Sequence, residues 1–286
     1  MENKKRVFVT GITGNQGSAL TRHLLDMGHK VIGLTRNVNS EKARNWKKQG
    51  VTLVQGDLDY PASFAQEMNQ ADAIYFFQAL QKKKSEIQQA KRFIDALEQE
   101  KSNHLVYSSV AGADLKTGIP HFESKNEIEH YIKATGLNHT VLRPVSFFEN
   151  DLIPQAASSI RKGKFTTPLK RSCKQQLIGV DHIGKIAAQV ISQPEKYSGK
   201  TLTIATDQYQ ISDIPKLYAE AMNKPVKYKK LPGLIVRLAM GADLHKMFSY
   251  MNKHNFCPTE DINAVRKEFG IEGDYKSWAK QHFGKG

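Results

Sequence analysis

The chain has 286 residues, a formal net charge of +14 at pH 7, 40% hydrophobic residues and two cysteines. No apolar run approaches the roughly 20 residues of a membrane helix, and the opening Met1-Glu2-Asn3-Lys4-Lys5-Arg6 leads into a strand rather than an apolar signal core. Cys173 and Cys257 form neither a C-x-x-C pair nor a disulfide framework, so no metal site and no membrane partner are expected, and a reducing cytoplasm is the expected setting.

The positive charge suits an anionic partner. Its residues are scattered, with short runs only at Lys82-Lys83-Lys84 and Lys227 to Lys230. No helix-turn-helix pattern, zinc-finger spacing or aromatic RNA motif is present, so a phosphorylated small ligand is expected ahead of nucleic acid.

In chain order, Val7-Phe8-Val9 reads as a buried strand that runs into Gly11, Gly14 and Gly17, followed by a helix carrying Leu20, Leu24 and Leu25 on one face. Glycines let the backbone approach a ligand closely. Unpaired N–H groups and the positive end of a helix dipole then hold phosphate, so Gly11, Ile12, Thr13, Gly14, Asn15 and Gln16 are the expected pyrophosphate loop. A second strand, residues 29–35, ends in Thr35-Arg36-Asn37. Arg36 lies nineteen residues past Gly17 (36 − 17), where a carboxylate would select NAD(H) through its ribose hydroxyl and an arginine instead accepts a 2′-phosphate. Arg36 therefore points to NADP(H).

Residues 41–48 read as a helix and 51–55 as a strand closing on Gly56-Asp57-Leu58. Asp57 suits either an adenine amino group or a local turn. A helix at 63–68 precedes the strand 73–77, which exits through Gln78-Ala79-Leu80. A helix at 86–98 leads to the strand His104-Leu105-Val106-Tyr107 and then Ser108-Ser109. The alternation predicts a parallel sheet covered on both faces, with these polar residues at its carboxyl edge. A helix opens at Pro120 with His121 and Lys125 four residues apart on one face. The strand 140–143 passes into Pro144-Val145-Ser146-Phe147-Phe148-Glu149-Asn150.

Beyond Asp151 the alternation fades. Strands are expected near 176–178, 200–205 and 226–228, and helices at about 181–191, 211–222, 234–253, 261–269 and 275–282. The expected organisation is a Rossmann-type doubly wound domain, 1–150, with a smaller α+β lobe, 151–286, folded against it.

These motifs together resemble the NmrA-like family, an atypical branch of the short-chain dehydrogenase/reductase superfamily, over nearly the whole chain. The resemblance rests on T-G-I-T-G-N-Q-G, Thr35-Arg36-Asn37, Gly56-Asp57-Leu58, His121-Phe122-x-x-Lys125 and Arg143-Pro144 with Phe147-Phe148-Glu149-Asn150. It implies NADP(H) binding, with Asp57 and Leu58 at the adenine, and Gln78, Ala79 and Leu80 along the groove. Lys125 would meet the nicotinamide ribose, and Phe147, Phe148, Glu149 and Asn150 would close over the nicotinamide end. Family members either reduce small electrophiles such as quinones or report cofactor redox state to partner proteins, including transcriptional regulators. The expected partner is thus a small electrophile or a regulatory protein, and the expected assembly a monomer or homodimer.

The superfamily's catalytic set is a serine after the fifth strand and Tyr-x-x-x-Lys on the next helix. Here Ser108 or Ser109 and Lys125 match, and His121 replaces the tyrosine. Lys125 and His121 are the catalytic candidates, His121 as a proton donor whose charged form the helix start disfavours. An NADPH-dependent reductase of a quinone or other small electrophile is the expected function, and a non-catalytic NADP(H) redox sensor regulating a partner protein is the alternative.

Overall fold

A computed structural model describes residues 4–98 and 103–284. The chain begins β1 (Arg6–Val9), α1 (Asn15–Asp26), β2 (Lys30–Thr35), α2 (Glu41–Lys48), β3 (Thr52–Gln55), α3 (Ala65–Asn69), β4 (Ala73–Phe76) and α4 (Lys83–Asp95). It continues β5 (His104–Ser108), α5 (Pro120–Ala134), β6 (His139–Pro144), β7 (Ser146–Phe147), α6 (Pro154–Arg161), β8 (Lys164–Thr167), β9 (Lys174–Ile178), α7 (Val180–Ser192) and α8 (Pro194–Tyr197). It closes with β10 (Thr201–Ile204), β11 (Asp207–Gln210), α9 (Ile214–Met222), β12 (Lys227–Lys230), α10 (Gly233–His254), α11 (Ile262–Glu268) and α12 (Tyr275–Phe283).

Two compact units result. The first comprises the described residues up to Arg143 together with Val180–Leu202, and the second Pro144–Gly179 with the described residues from Thr203 onward. Where the sequence suggested a single boundary after residue 150, the chain returns to the first unit for α7. The reason is local: Gly184 of α7 lies against the backbone of α1, and a Cβ there would stand 2.6 Å from the Ala19 carbonyl carbon. Only a residue without a side chain lets these helices approach so closely.

The seven-stranded sheet runs β10-β6-β5-β4-β1-β2-β3. Its strands are parallel, as the register of β1 with both β2 and β4 shows. The order reverses between β1 and β4, the switch point of a doubly wound fold, outside whose carboxyl edge ligands bind. The Rossmann-type sheet expected from the alternating pattern is what forms. One face is covered by α4 and α5 over Phe8, Phe64, Phe76, Phe93, Tyr107, Ile128 and Ile132. Phe76 and Phe93 stack at 4.2 Å between centroids, a geometry worth about 0.5–1.5 kcal/mol beyond its burial.

Helix boundaries follow their ends more than their apolar stripes. In α2 the Ser40 side chain accepts from the Ala43 N–H, Glu41 sits in the first turn and Lys47 and Lys48 in the last, all favourable to the helix dipole. Helix α4 starts at Lys83 rather than at 86 and stops at Asp95. Its first turn, Lys83-Lys84-Ser85, is polar and leaves no trace in hydrophobic periodicity.

The second unit holds a β11-β9-β7 sheet and a β12-β8 pair. Its core gathers Phe148, Phe165, Tyr218, Tyr275 and Phe283. Asp151 is half-buried there and accepts from the hydroxyls of Tyr218, at 2.6 Å, and Tyr275. Strands β7, β8 and β11 were not expected, and α10 is broken at Gly241 by a non-helical φ of 89°.

Candidate functional site

The site begins where β1 ends. The Thr10 hydroxyl accepts from the Phe77 N–H at 2.8 Å and donates to the Phe77 carbonyl at 2.9 Å, clamping the exits of β1 and β4 together. Gly11 then takes a φ of +63°, and its carbonyl receives the Gly14 N–H at 2.9 Å. A Cβ on Gly17 would collide with the Gly11 backbone, so the turn and the helix start are built as one close-fitting piece. Helix α1 has Gly14 as its N-cap with no side-chain cap bond and no acidic residue in its first turn. Its leading N–H groups and the positive end of its dipole are thereby left for an anion.

Within this loop the residues play different parts. Gly11 and Thr13 are half-buried, Gly14 and Asn15 exposed. Ile12 is fully buried, and Gln16 is turned inward at 4% exposure. The Gln16 Oε1 accepts from the Tyr75 hydroxyl at 2.7 Å and from the Ser108 hydroxyl at 2.8 Å. Gln16 thus ties the glycine loop to β4 and β5, and the Ser108 proton is committed to it.

At the end of β2, Arg36 and Asn37 are exposed. The Asn37 N–H donates to the Thr35 hydroxyl at 3.3 Å, and the Asn37 Oδ1 accepts from the Asn39 N–H at 2.9 Å. This Asx turn fixes the backbone that carries the guanidinium. After β3, Asp57 Oδ1 accepts from the Asp59 N–H at 3.0 Å, and the half-buried Leu58 packs on the aromatic core. The local-turn reading of Asp57 is therefore realised.

The β4 exit turns inward. Gln78 is 2% exposed and its Nε2 donates to the Glu86 carbonyl and to Gln89 Oε1, both at 3.0 Å. Ala79 and Leu80 are exposed. Glu86 is wholly buried. Its carboxylate stands 2.9 Å from the Lys125 ammonium and accepts from the Ser124 hydroxyl through its other oxygen. The ammonium also lies 5.3 Å from the centroid of the Tyr107 ring. Burial pulls the Lys125 pKa down, and the Glu86 carboxylate opposes that. His121 sits half-buried in the first turn of α5, edge-on to Phe122 at 4.8 Å.

A second buried network closes the end of β5. The Ser109 hydroxyl donates to Glu129, which accepts from the Arg143 Nε at 3.0 and 3.2 Å. Arg143 also reaches Asp114 at 2.7 Å. The protons of both serines are thus spent within the protein. Phe147, Phe148, Glu149 and Asn150 belong to the second unit, where Phe148 is core, 5.1 Å from the Tyr275 ring centroid, and Asn150 is exposed.

Glu86, Gln89, Ser124 and Glu129 were not among the residues singled out from sequence. A signal existed for Glu86: it falls on the same stripe as Ala90, Phe93, Ile94 and Leu97, so its helix carries a carboxylate on its apolar face. Among the described residues no group of three or more His, Cys, Asp or Glu side chains is placed to hold a metal ion, and no helix is long and apolar enough to cross a membrane.

A family model described as "NmrA-like family" matches residues 3–276. An NmrA-like family domain-containing protein of Dictyostelium discoideum is 26% identical over 269 residues, covering 87% of this chain and 88% of the relative. Among solved structures, NADPH-dependent quinone oxidoreductase QOR2 of Escherichia coli, complexed with NADPH, superposes with a TM-score of 0.82 at 18% identity, covering 97% of this chain and 99% of that one. NmrA, a negative transcriptional regulator in complex with NADP, superposes with a TM-score of 0.80 at 18% identity, covering 98% and 95%.

Proposed function

The chain belongs to the NmrA-like family, and on that premise we propose that it binds NADP(H) and passes hydride to a quinone or another small electrophile. The observation that carries this reading is the pairing of an uncapped helix start behind Gly11–Gly14 with an exposed arginine, rather than a carboxylate, at the end of β2. The N–H groups of the loop would hold the pyrophosphate, Arg36 with the Asn37 turn the 2′-phosphate, and Asp57-Leu58 the adenine edge. Ala79 and Leu80 would flank the cofactor. Gln78 would act from beneath through Glu86, and Lys125 would place its ammonium beside the nicotinamide ribose. When bound, the nicotinamide supplies or accepts hydride.

The acceptor class follows from where protons are held. Reduction of a simple carbonyl needs a proton donor at the developing alkoxide. Ser108 donates to Gln16 and Ser109 to Glu129, and His121 stands in place of tyrosine. A quinone relaxes that need, because its reduced anion is stable enough to take a proton from water. Lys125 then contributes fixed positive charge rather than a proton relay. The test is NADPH consumption across quinones and aldehydes: turnover with quinones and none with aldehydes is expected, and a flat response to quinones at high protein concentration would sink the reading.

The same internal commitment of Ser108 and Ser109 favours a second reading, a non-catalytic sensor that reports NADP(H) to a regulatory protein. It requires tight cofactor binding without turnover and a partner whose capture changes with the NADPH/NADP⁺ ratio.

A further inference from the structure

We propose that Glu86 is the positioning residue of this site, fixing both the place and the charge of the Lys125 ammonium and linking it to the exit of β4. The inference rests on the reading of Lys125 as a cofactor-binding group. Glu86 has no solvent exposure and Lys125 has 10% at its side chain. A carboxylate so deeply buried persists only when paired and hydrogen-bonded. Its three attachments join two elements: two come from α5 and one from the exit of β4. One oxygen faces Lys125 Nζ at 2.9 Å, the other receives the Ser124 hydroxyl, and its backbone carbonyl receives Gln78 Nε2 at 3.0 Å.

The charged and titratable groups around Lys125 are few. Glu86 faces it from α4, the Tyr107 ring from β5 at 5.3 Å, His121 stands one turn before it on α5, and Glu129, one turn after it, acts at longer range. Glu129 is already held by Arg143 and Ser109. Glu86 is therefore the counter-charge that compensates the cost of burying the ammonium. Without it, a buried amine loses its proton at lower pH. The β4 exit and the lysine are joined through this one residue, so it sets the floor of the groove as well as the charge in it.

The experiment compares wild type, Glu86→Gln, Glu86→Asp and the double variant E86Q/K125M, by NADPH titration and by thermal melting without cofactor, each from about pH 6 to about pH 9. The pH profile of E86D affinity is expected to match that of wild type. E86Q affinity is expected to fall with rising pH, by up to about tenfold per unit once Lys125 is neutral. In melting, the deficit of E86Q is expected to shrink as pH rises, because a neutral amine no longer lacks a partner, and E86Q/K125M is expected to melt above E86Q. Should E86Q not accumulate as folded protein, recovery of folded protein in the double variant supports the pairing, and a double variant as defective as E86Q overturns it. Wild-type pH profiles in E86Q, by both readouts, also overturn it. Melting needs no cofactor, so absence of NADPH binding by wild type would refute the proposed function while leaving the Glu86–Lys125 linkage separately measurable.

Discussion

Gly17 faces the Gly11 carbonyl so closely that a Cβ on Gly17 would stand 2.3 Å from the oxygen and 2.7 Å from its carbon. Both neighbours are backbone atoms, so neither can swing away. Gly17→Ala is expected to push the phosphate loop off the helix start, costing about 1–3 kcal/mol of stability and most NADP(H) affinity. Thermal melting and calorimetric titration on one preparation check both effects. An alanine variant with wild-type melting and affinity would refute the close-packed turn.

In the proposed function Arg36 carries the choice of cofactor. Charge-assisted hydrogen bonds contribute about 1.5–3 kcal/mol, so Arg36→Ala is expected to weaken NADPH by about 10- to 100-fold and to leave NADH, which lacks the 2′-phosphate, nearly unchanged. Titrations with both nucleotides check this. Equal losses for the two would mean that Arg36 does not read the extra phosphate.

Arg143 is the cation of the Ser109–Glu129 network, with side-chain exposures of 12% for Arg143 and 8% for Glu129. Arg143→Met strands a buried carboxylate and is expected to cost about 3–5 kcal/mol, read by denaturant unfolding at neutral pH. An effect no larger than that of an exposed ion pair would show the network to be dispensable.

His104, in β5, is 1% exposed and meets the Thr140 hydroxyl at 2.8 Å. Burial pushes its pKa down to about 4, below the ordinary value near 6.5. The unfolded chain therefore binds the proton first. Stability from neutral His104 is full above about pH 6.5 and is lost as pH falls toward about 4, on the order of 3 kcal/mol in all. His104→Gln is expected to flatten that acid slope in a melting series. An unchanged slope would assign it to other groups.

How much of this was legible in advance depended on the range of the interaction. The β1 turn and Arg36 are local: glycine spacing and one side chain at a strand end mark the tight loop and the exposed cation within a few residues. The resemblance drawn from those motifs agrees with the family match over residues 3–276. Glu86 was missed because its partner, Lys125, is 39 residues away (125 − 86), while its sequence neighbours Lys83, Lys84, Ser85 and Gln88 read as a wet surface. Strands such as Lys164–Thr167 and Asp207–Gln210 were missed because they are polar and exist only through pairing with β12 and β9.

The return of residues 180–202 to the first unit governs how the protein can be cut. A fragment ending at Asn150 would strip α7 from Ala19 and Leu20 and leave that apolar surface bare, so it is destined for aggregates. A gene that links residue 143 to residue 180 through a short spacer and stops after residue 202 keeps this cover in place, so isolating the first unit takes an internal excision as well as a truncation.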